Sequence, residues 1–231
     1  MTILTLDVGG THVKLKLSGQ DEVRKFESGP GLTPQQMIDG VRAQAPDWTY
    51  DVVSMGFPAP VVGGKIVKEP VNLGPGWVGF DLAAALGKPV RIINDAAMQA
   101  LGGYQGGRML FLGLGTGLGT TLIVDGVVVG MELGHLPYRK RLSFEDYVGV
   151  AGLERRGREK WQAAVFDVVE ILKTALVAEY VLLGGGNVKK LTTLPPGAVR
   201  GDNADAFRGG ERLWSDKPAA VGAPQEDKNG H

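Results

Sequence analysis

Two short apolar runs, Ile3 to Val8 and Met109 to Leu112, each lead straight into a glycine-rich turn and restart beyond it as a second apolar stretch. In the first, Leu4-Thr5-Leu6-Asp7-Val8-Gly9-Gly10-Thr11 precedes Val13, Leu15 and Leu17, which alternate with Lys14, Lys16 and Ser18. In the second, Leu110-Phe111-Leu112-Gly113-Leu114-Gly115-Thr116-Gly117 precedes a run from Thr120 to Val124. Period-two alternation on either side of a turn is a hairpin signal. Glycine at such a turn permits a tight bend or lets backbone approach a ligand closely. The two segments resemble each other loosely. Chance similarity leaves two ordinary hairpins; duplication gives two related lobes, each presenting one glycine turn, and we favour duplication.

Composition narrows the classes. Glycine makes up 36 of 231 residues, roughly 16% against an average near 7%. It has no Gly-X-Y period, which excludes collagen. Cysteine is absent, which excludes a disulfide scaffold, a Cys-zinc site, an iron–sulfur cluster and a thiol nucleophile. Lys plus Arg and Asp plus Glu both number 25, so no broad basic face for nucleic acid is implied. Charged residues at 22% and hydrophobic ones at 43% are those of an ordinary globular protein. Met1-Thr2-Ile3-Leu4 is not a basic region followed by a long apolar stretch, and no run approaches a membrane span, so the expected location is cytoplasmic.

Further elements follow from local signals. Thr33 as N-cap, Pro34 at N1 and Gln36 at N3 open a helix running to about Ala45. A strand over Asp51 to Phe57 stops at Pro58 and Pro60, and a Gly/Pro-rich loop carries Asn72 and Trp77. A short helix over Asp81–Leu86 precedes a buried strand, Val90–Ile93, which ends at Asn94-Asp95 before a helix over Ala96–Leu101. Asp125-Gly126 turns into Val127–Val129. A helical stretch starts near Ser143, and a long helix is expected from about Arg158 to Glu179, with Trp161, Val165, Val168, Leu172, Ala175 and Leu176 at helical spacing. A strand over Tyr180–Leu183 ends in Gly184-Gly185-Gly186, and a last helix is expected near Asn203 to Leu213. The polar segment 217–231 is expected to be disordered.

Familiar nucleotide fingerprints fail. Lys65 is followed by Ile66 and Lys88 by Pro89, so the Walker pattern is missing. The third glycine of the dinucleotide pattern falls on Leu118 or Thr120. What remains is a pair of hairpin loops whose backbone N–H groups and threonine hydroxyls can meet phosphate. Asp95, after a buried strand, suits a base that takes a proton from an attacking hydroxyl, or reads simply as an N-cap. Asn94 and Asn72 can bond a hydroxyl-rich ligand, and Asn72 also fits an Asx turn. Glu132 and His135, three apart across Gly134, fit sugar hydroxyls better than zinc, or form a plain surface turn. Arg139-Lys140-Arg141 and Arg155-Arg156 read as solvated faces or as polyanion contacts. Gly184–Gly186 either lies flat against a base or is a strand-to-helix turn.

In order, Asp7-Val8-Gly9-Gly10-Thr11, Gly56-Phe57-Pro58-Ala59-Pro60-Val61, Asn72 with Trp77, Asn94-Asp95, Gly115-Thr116-Gly117-Leu118-Gly119, Glu132-Leu133-Gly134-His135 and Leu183-Gly184-Gly185-Gly186 resemble the ROK family of sugar kinases. The resemblance implies an α/β, two-lobed actin-like ATPase fold of the ribonuclease H-like class, with a central cleft. It implies an N-terminal lobe over 1–98 that takes back the closing helix of about 203–214, and a C-terminal lobe over 99–200. The implied activity is phosphoryl transfer from ATP or polyphosphate to the 6-hydroxyl of a hexose, glucose first. Asp95 would be the general base. Asn72, Asn94, Glu132, His135 and Glu145 would hold the sugar. Asp7, Gly9, Gly10, Thr11, Lys14, Gly115, Thr116 and Gly117 would face phosphates, with Asp7 on magnesium directly or through water, and Gly185 and Gly186 would flank the base. Only nine residues separate His135 from Glu145 and none is Cys, so the family's usual zinc loop is missing. This is similar to the family's polyphosphate glucokinases and implies no structural zinc. Ala59 stands where the family loop usually has glycine. A homodimer is implied, with neither nucleic acid nor membrane as partner. A sugar sensor without catalysis on the same fold is the alternative.

Overall fold

The computed structural model describes residues 1–202 and 204–215. Asn203 and the polar segment 217–231 lie outside them. The apolar runs become two five-stranded sheets with one plan. In the first, β1 (Ile3–Val8), β2 (His12–Leu17) and β3 (Val23–Glu27) form an antiparallel meander, and β4 (Val52–Phe57) and β7 (Val90–Asn94) extend it in parallel, in the order β3-β2-β1-β4-β7. In the second, β8 (Arg108–Leu114), β9 (Leu118–Val124) and β10 (Val127–Met131) form the meander, and β11 (Tyr180–Gly184) and β12 (Ala198–Arg200) the parallel extension, in the order β10-β9-β8-β11-β12. Each glycine turn therefore joins the first two strands of its own sheet. A small hairpin, β5 (Val61–Val62) and β6 (Lys65–Ile66), stands apart.

Helix starts follow their caps. α1 (Pro34–Gln44) begins at Thr33, which accepts the Gln36 N–H while the Gln36 side chain accepts the Thr33 N–H, the reciprocal box expected from the sequence. α2 (Leu82–Leu86) is capped by Asp81, α3 (Asp95–Gly103) by Asn94 and α4 (Phe144–Val148) by Ser143. The long helix departs from expectation: α5 spans Val150–Ala175 and is interrupted at Gly157, so its regular stretch begins near Arg158 but ends four residues before Glu179. Val177 there takes a left-handed φ of 52° and turns the chain toward β11. α6 (Asp205–Arg212) lies within the expected closing helix. Unforeseen strands are β3, β5, β6 and β12. Val23–Glu27 alternates exposed and half-buried positions at a sheet edge, so it carries no apolar signal.

Three apolar cores organise these layers. One joins Leu4, Leu6, Leu15, Met37, Ile38 and Met55 in the first sheet with α1. A second joins Leu110, Leu112, Trp161, Val165, Val168 and Leu183 in the second sheet with α5. The third lies between the sheets and gathers Met98 and Leu101 of α3, Phe111, Ile123, Leu182 and Ala206. α3 and α6 cross so closely that a Cβ on Gly102 would overlap the Asp205 carbonyl and one on Gly209 the Met98 carbonyl. α6 is then tied to the first sheet. Ser54 Oγ, fully buried in β4, donates to the Gly210 carbonyl at 2.6 Å and accepts the Trp214 indole N–H at 2.9 Å. Ser54→Ala strands both groups, so the variant is expected to lose about 2 kcal/mol of stability. Urea unfolding checks this; a loss under about 0.5 kcal/mol, typical of surface changes, would contradict the role. No helix among the described residues is long and apolar enough to cross a membrane.

Candidate active site

β7 runs parallel to β4 and ends at Asn94, where α3 begins. The cap falls to Asn94, whose Oδ1 accepts the Ala96 and Ala97 N–H groups at 3.0 and 3.2 Å. Its Nδ2 donates to the Ala59 carbonyl at 3.4 Å, which ties the Pro58–Pro60 loop to the helix start. Ala59 itself belongs to the first core, so its methyl is buried rather than standing free in solvent. Asp95 occupies the first helical position, and its Oδ1 accepts the Ala96 N–H at 2.8 Å.

Asp95 faces a cleft of about 470 Å³ that brings residues of both sheets together. Around it stand Gly10, Asn72 and Asn94 from the first half of the chain, and Gly115, Thr116, Gly117, Glu132, His135, Glu145 and Gly185 from the second. Asp95 keeps some surface toward the cleft, but protein surrounds it on every other side. That burial raises its carboxyl to about 7, against the opposing Ala96 N–H; the negative charges of Asp7 and Glu132 push the same way as burial. A carboxylic acid ordinarily fully ionised at neutral pH thus stands at its midpoint.

The sugar-side candidates form a chain. His135 Nδ1 lies 3.6 Å from Glu132 Oε2, and its Nε2 lies 3.4 Å from Glu145 Oε1. Leu133–His135 is a single turn of 3-10 helix, and Thr120 Oγ1 anchors its start by accepting the Leu133 N–H at 3.1 Å. α4 brings in Glu145 from its first turn. Each glycine turn abuts one of these polar side chains. A Cβ on Gly10 would lie 3.0 Å from the Asn72 Cβ, and one on Gly117 would collide with Glu145 Oε2. Glycine at both turns therefore keeps their backbone in direct apposition to Asn72 and Glu145.

The donor-side candidates divide. Gly115 donates to the Gly117 carbonyl at 3.2 Å, closing the second turn. Gly185 approaches the Leu114 backbone so closely that a Cβ would overlap it. Asp7, Gly9, Thr11, Lys14 and Gly186 do not line the cleft. Lys14 Nζ pairs with Asp7 Oδ2 at 3.1 Å along the β1–β2 ladder. Arg139 is engaged elsewhere: its guanidinium and the Tyr138 hydroxyl both meet Asp167 on α5. The 139–141 run does not line the cleft either.

Two supporting residues carry no motif of their own. Glu69 accepts the Trp77 and Val78 N–H groups, each at 3.1 Å, and those bonds hold its carboxyl below the usual range. It straps the loop bearing Asn72, while Trp77 is buried against Phe57 at 4.7 Å between ring centres. Asn187 Nδ2 donates to the Gly115 carbonyl at 3.1 Å, and its N–H donates to the Leu114 carbonyl at 2.9 Å, so it locks the triple-glycine turn onto the Gly115–Gly117 turn. Its position directly after Gly184–Gly186 is a signal that could have found it; Glu69 has none.

Comparison with known proteins identifies relatives of this chain. The polyphosphate glucokinase of Mycobacterium tuberculosis is 24% identical, over 80% of this chain and 77% of its own. The N-acetylmannosamine kinase of Escherichia coli O157:H7 is 29% identical, over 59% of this chain and 53% of its own. The bifunctional enzyme NanE/NanK of Brucella melitensis is 26% identical, and the chain spans 27% of its length. Among solved structures, the inorganic polyphosphate/ATP-glucomannokinase of Arthrobacter sp. strain KM superposes with a TM-score of 0.74 at 24% identity, over 90% of this chain and 96% of that one. A ROK family glucokinase of Streptomyces griseus, in complex with glucose and AMPPNP, gives 0.70 at 15% identity, over 92% and 99%. The α/β, actin-like fold is therefore the fold of this chain. The ROK family model matches residues 3–152, and the chain belongs to the ROK family.

Proposed function

We propose that this protein is a hexose kinase that transfers a phosphoryl group from ATP or polyphosphate to the sugar 6-hydroxyl, with glucose as the first candidate. One observation carries the reading. Asp95, fixed at the start of α3, shares a single cleft with Gly10, with the Gly115–Gly117 turn and with the Glu132–His135–Glu145 chain. Glu132, His135, Glu145 and Asn72 would orient the sugar hydroxyls. Asn94 spends its oxygen on the helix cap, so it would offer the sugar its Nδ2 only. Asp95 would take the proton of the attacking hydroxyl. That oxygen would bond to the terminal phosphorus while the bond from phosphorus to the donor's bridging oxygen breaks. The leaving donor would be one phosphoryl shorter.

The turns around Gly10 and Gly115–Gly117 would offer backbone N–H groups to the moving phosphoryl. Magnesium needs only one or two carboxylates beside phosphate oxygens and water, and Asp7, near the end of β1, would supply one. The negative charge of Asp7 raises the Asp95 carboxyl, which supports this reading although Asp7 does not line the cleft. The bound ion would neutralise charge on the donor phosphates. The lobes would run over 1–98, with α6 returned to the first, and over 99–200. The assembly would be a homodimer, to be checked by sedimentation.

Sugar 6-phosphate formation, measured with ATP and with polyphosphate across a panel of hexoses, tests the reading. Product from one sugar–donor pair supports it; clear sugar binding with no product from any pair means a sensor. Glu132→Ala is expected to raise the sugar KM about tenfold or more, the loss of one charge-assisted hydrogen bond. A change in melting temperature with KM intact would reduce Glu132 to a turn residue.

A further inference from the structure

Among the described residues, a basic ridge runs along two elements anchored to the Gly115–Gly117 loop. The first turn of α5 starts on the phosphate-side loop: the Val150 N–H donates to the Thr116 carbonyl at 3.1 Å. The turn after β11 is locked to the same loop through Asn187 and Gly115. From these two anchors, α5 and the 3-10 turn Val188–Lys190 run on side by side. Arg158 Nε donates to the Lys190 carbonyl at 2.6 Å, and Gln162 Oε1 accepts the Thr192 N–H at 2.8 Å. Arg155 and Arg158, on α5, and Lys189 are exposed, and Lys190 is half-buried.

None of these four cations forms a salt bridge among the described residues. The two arginines donate hydrogen bonds to carbonyl oxygens, of Asp146 and Lys190, and the charge of Arg155 also acts on the Asp146 carboxylate. Glu154 and Glu159 lie on the same helix but pair with none of them. Other arginines do meet carboxylates: Arg24 with Glu22 and Asp47, Arg139 with Asp167, and Arg208 with Asp205. Four cations outside any salt bridge, on two elements anchored to the Gly115–Gly117 loop, constitute an electrostatic track for a linear polyanion.

We infer that the Arg155–Arg158–Lys189–Lys190 ridge binds the outer phosphates of an extended inorganic polyphosphate whose terminal phosphoryl sits at Gly115–Gly117. This rests on the phosphotransfer reading and deepens it by assigning a donor subsite outside the cleft. Such a ridge makes the reaction sensitive to donor length. A long chain spans both loop and ridge; tripolyphosphate reaches only the loop.

The test is kinetic. Initial rates with glucose are measured for long-chain polyphosphate, tripolyphosphate and ATP, in the wild type and in Lys189→Gln/Lys190→Gln. The ridge predicts a wild-type preference for the long chain. In the variant, kcat/KM for that chain falls about tenfold relative to tripolyphosphate. The slope of log(kcat/KM) against log[salt] for the long chain shrinks by about 1 to 2, the number of lost phosphate contacts. No wild-type preference for length overturns the inference, as does an equal loss for all three donors. Should no donor support turnover, the kinase reading itself fails. Calorimetric binding of long-chain polyphosphate to wild type and variant then decides the ridge alone, with equal affinities overturning it.

Discussion

Asp95→Asn is expected to cut turnover by about 10²–10⁴-fold while sugar binding survives. The amide keeps the size of the carboxylate and can still accept the Ala96 N–H, but it cannot take up a proton. The wild-type rate should itself rise with pH through a midpoint near 7, because only the ionised carboxyl can act as base. That limb should be missing from the residual rate of the variant. A variant within threefold of wild type, or a wild-type profile flat between pH 5.5 and 8.5, would remove Asp95 from the chemistry.

The same group has a stability signature, and its sign is opposite to that of a paired carboxylate. Below pH 3.8 the carboxyl is protonated in both folded and unfolded chains and contributes nothing to pH dependence. Between 3.8 and about 7 the unfolded chain ionises while the folded site resists, so stability falls as pH rises. Above about 7 the full cost remains, about 4 kcal/mol at most, since Asp95 keeps contact with cleft water. Asp95→Asn should therefore melt higher than wild type at pH 8, with the gap shrinking toward pH 4. Opposite movement of activity and alkaline stability separates a functional carboxylate from a structural one. Loss of both would make Asp95 a structural group.

The second large effect belongs to the helix crossing. Gly209→Ala is expected to destabilise the protein by about 3 kcal/mol or more, and Gly102→Ala comparably. In each, the added methyl meets a backbone carbonyl of the facing helix, at Met98 or Asp205, and no side-chain rotation can relieve it. Alanine is intrinsically the better helix former by about 1 kcal/mol, so a net loss can come only from the crossing. Thermal unfolding of both single variants checks this. A stabilised Gly209→Ala would mean that the helices part freely. Because α3 begins with Asp95, a forced shift of the crossing should also lower turnover in any variant that still folds.

Much of the fold was legible because local rules and burial agreed. The Thr33–Pro34–Gln36 signal produced its capping box, and the heptad-like spacing from Trp161 to Leu172 produced the buried face of α5. The α/β, actin-like class came from the ordered motifs that resemble the ROK family. β3 and β12 were invisible because their stability comes from neighbours across the sheet, not from an apolar pattern of their own. The end of α5 was misplaced because Val177 adopts a left-handed conformation that β-branched residues rarely take, which only the connection to β11 imposes.

The candidate site was legible in a different way. Asp95, Glu132, His135 and the Gly115–Gly117 turn stood out because chemistry-bearing types followed strands or glycines. Reading Asp95 as an N-cap was reasonable, and the structure gives that task to Asn94, one residue earlier. Neither Glu69 nor Asn187 could be recognised by residue type, since Glu69 accepts backbone N–H groups within its own loop and Asn187 bonds backbone 72 residues away.

By itself, then, the sequence determined two glycine hairpins, the caps, the core faces and the absence of any thiol chemistry, all properties of residues within a few positions of one another. Tertiary structure decided which of the polar groups share a cleft, which of the basic ones are neutralised and how strongly Asp95 holds its proton. Those depend on distance and dielectric between segments remote in the chain, and a linear order of residues specifies neither until the two sheets are brought together around α3 and α6.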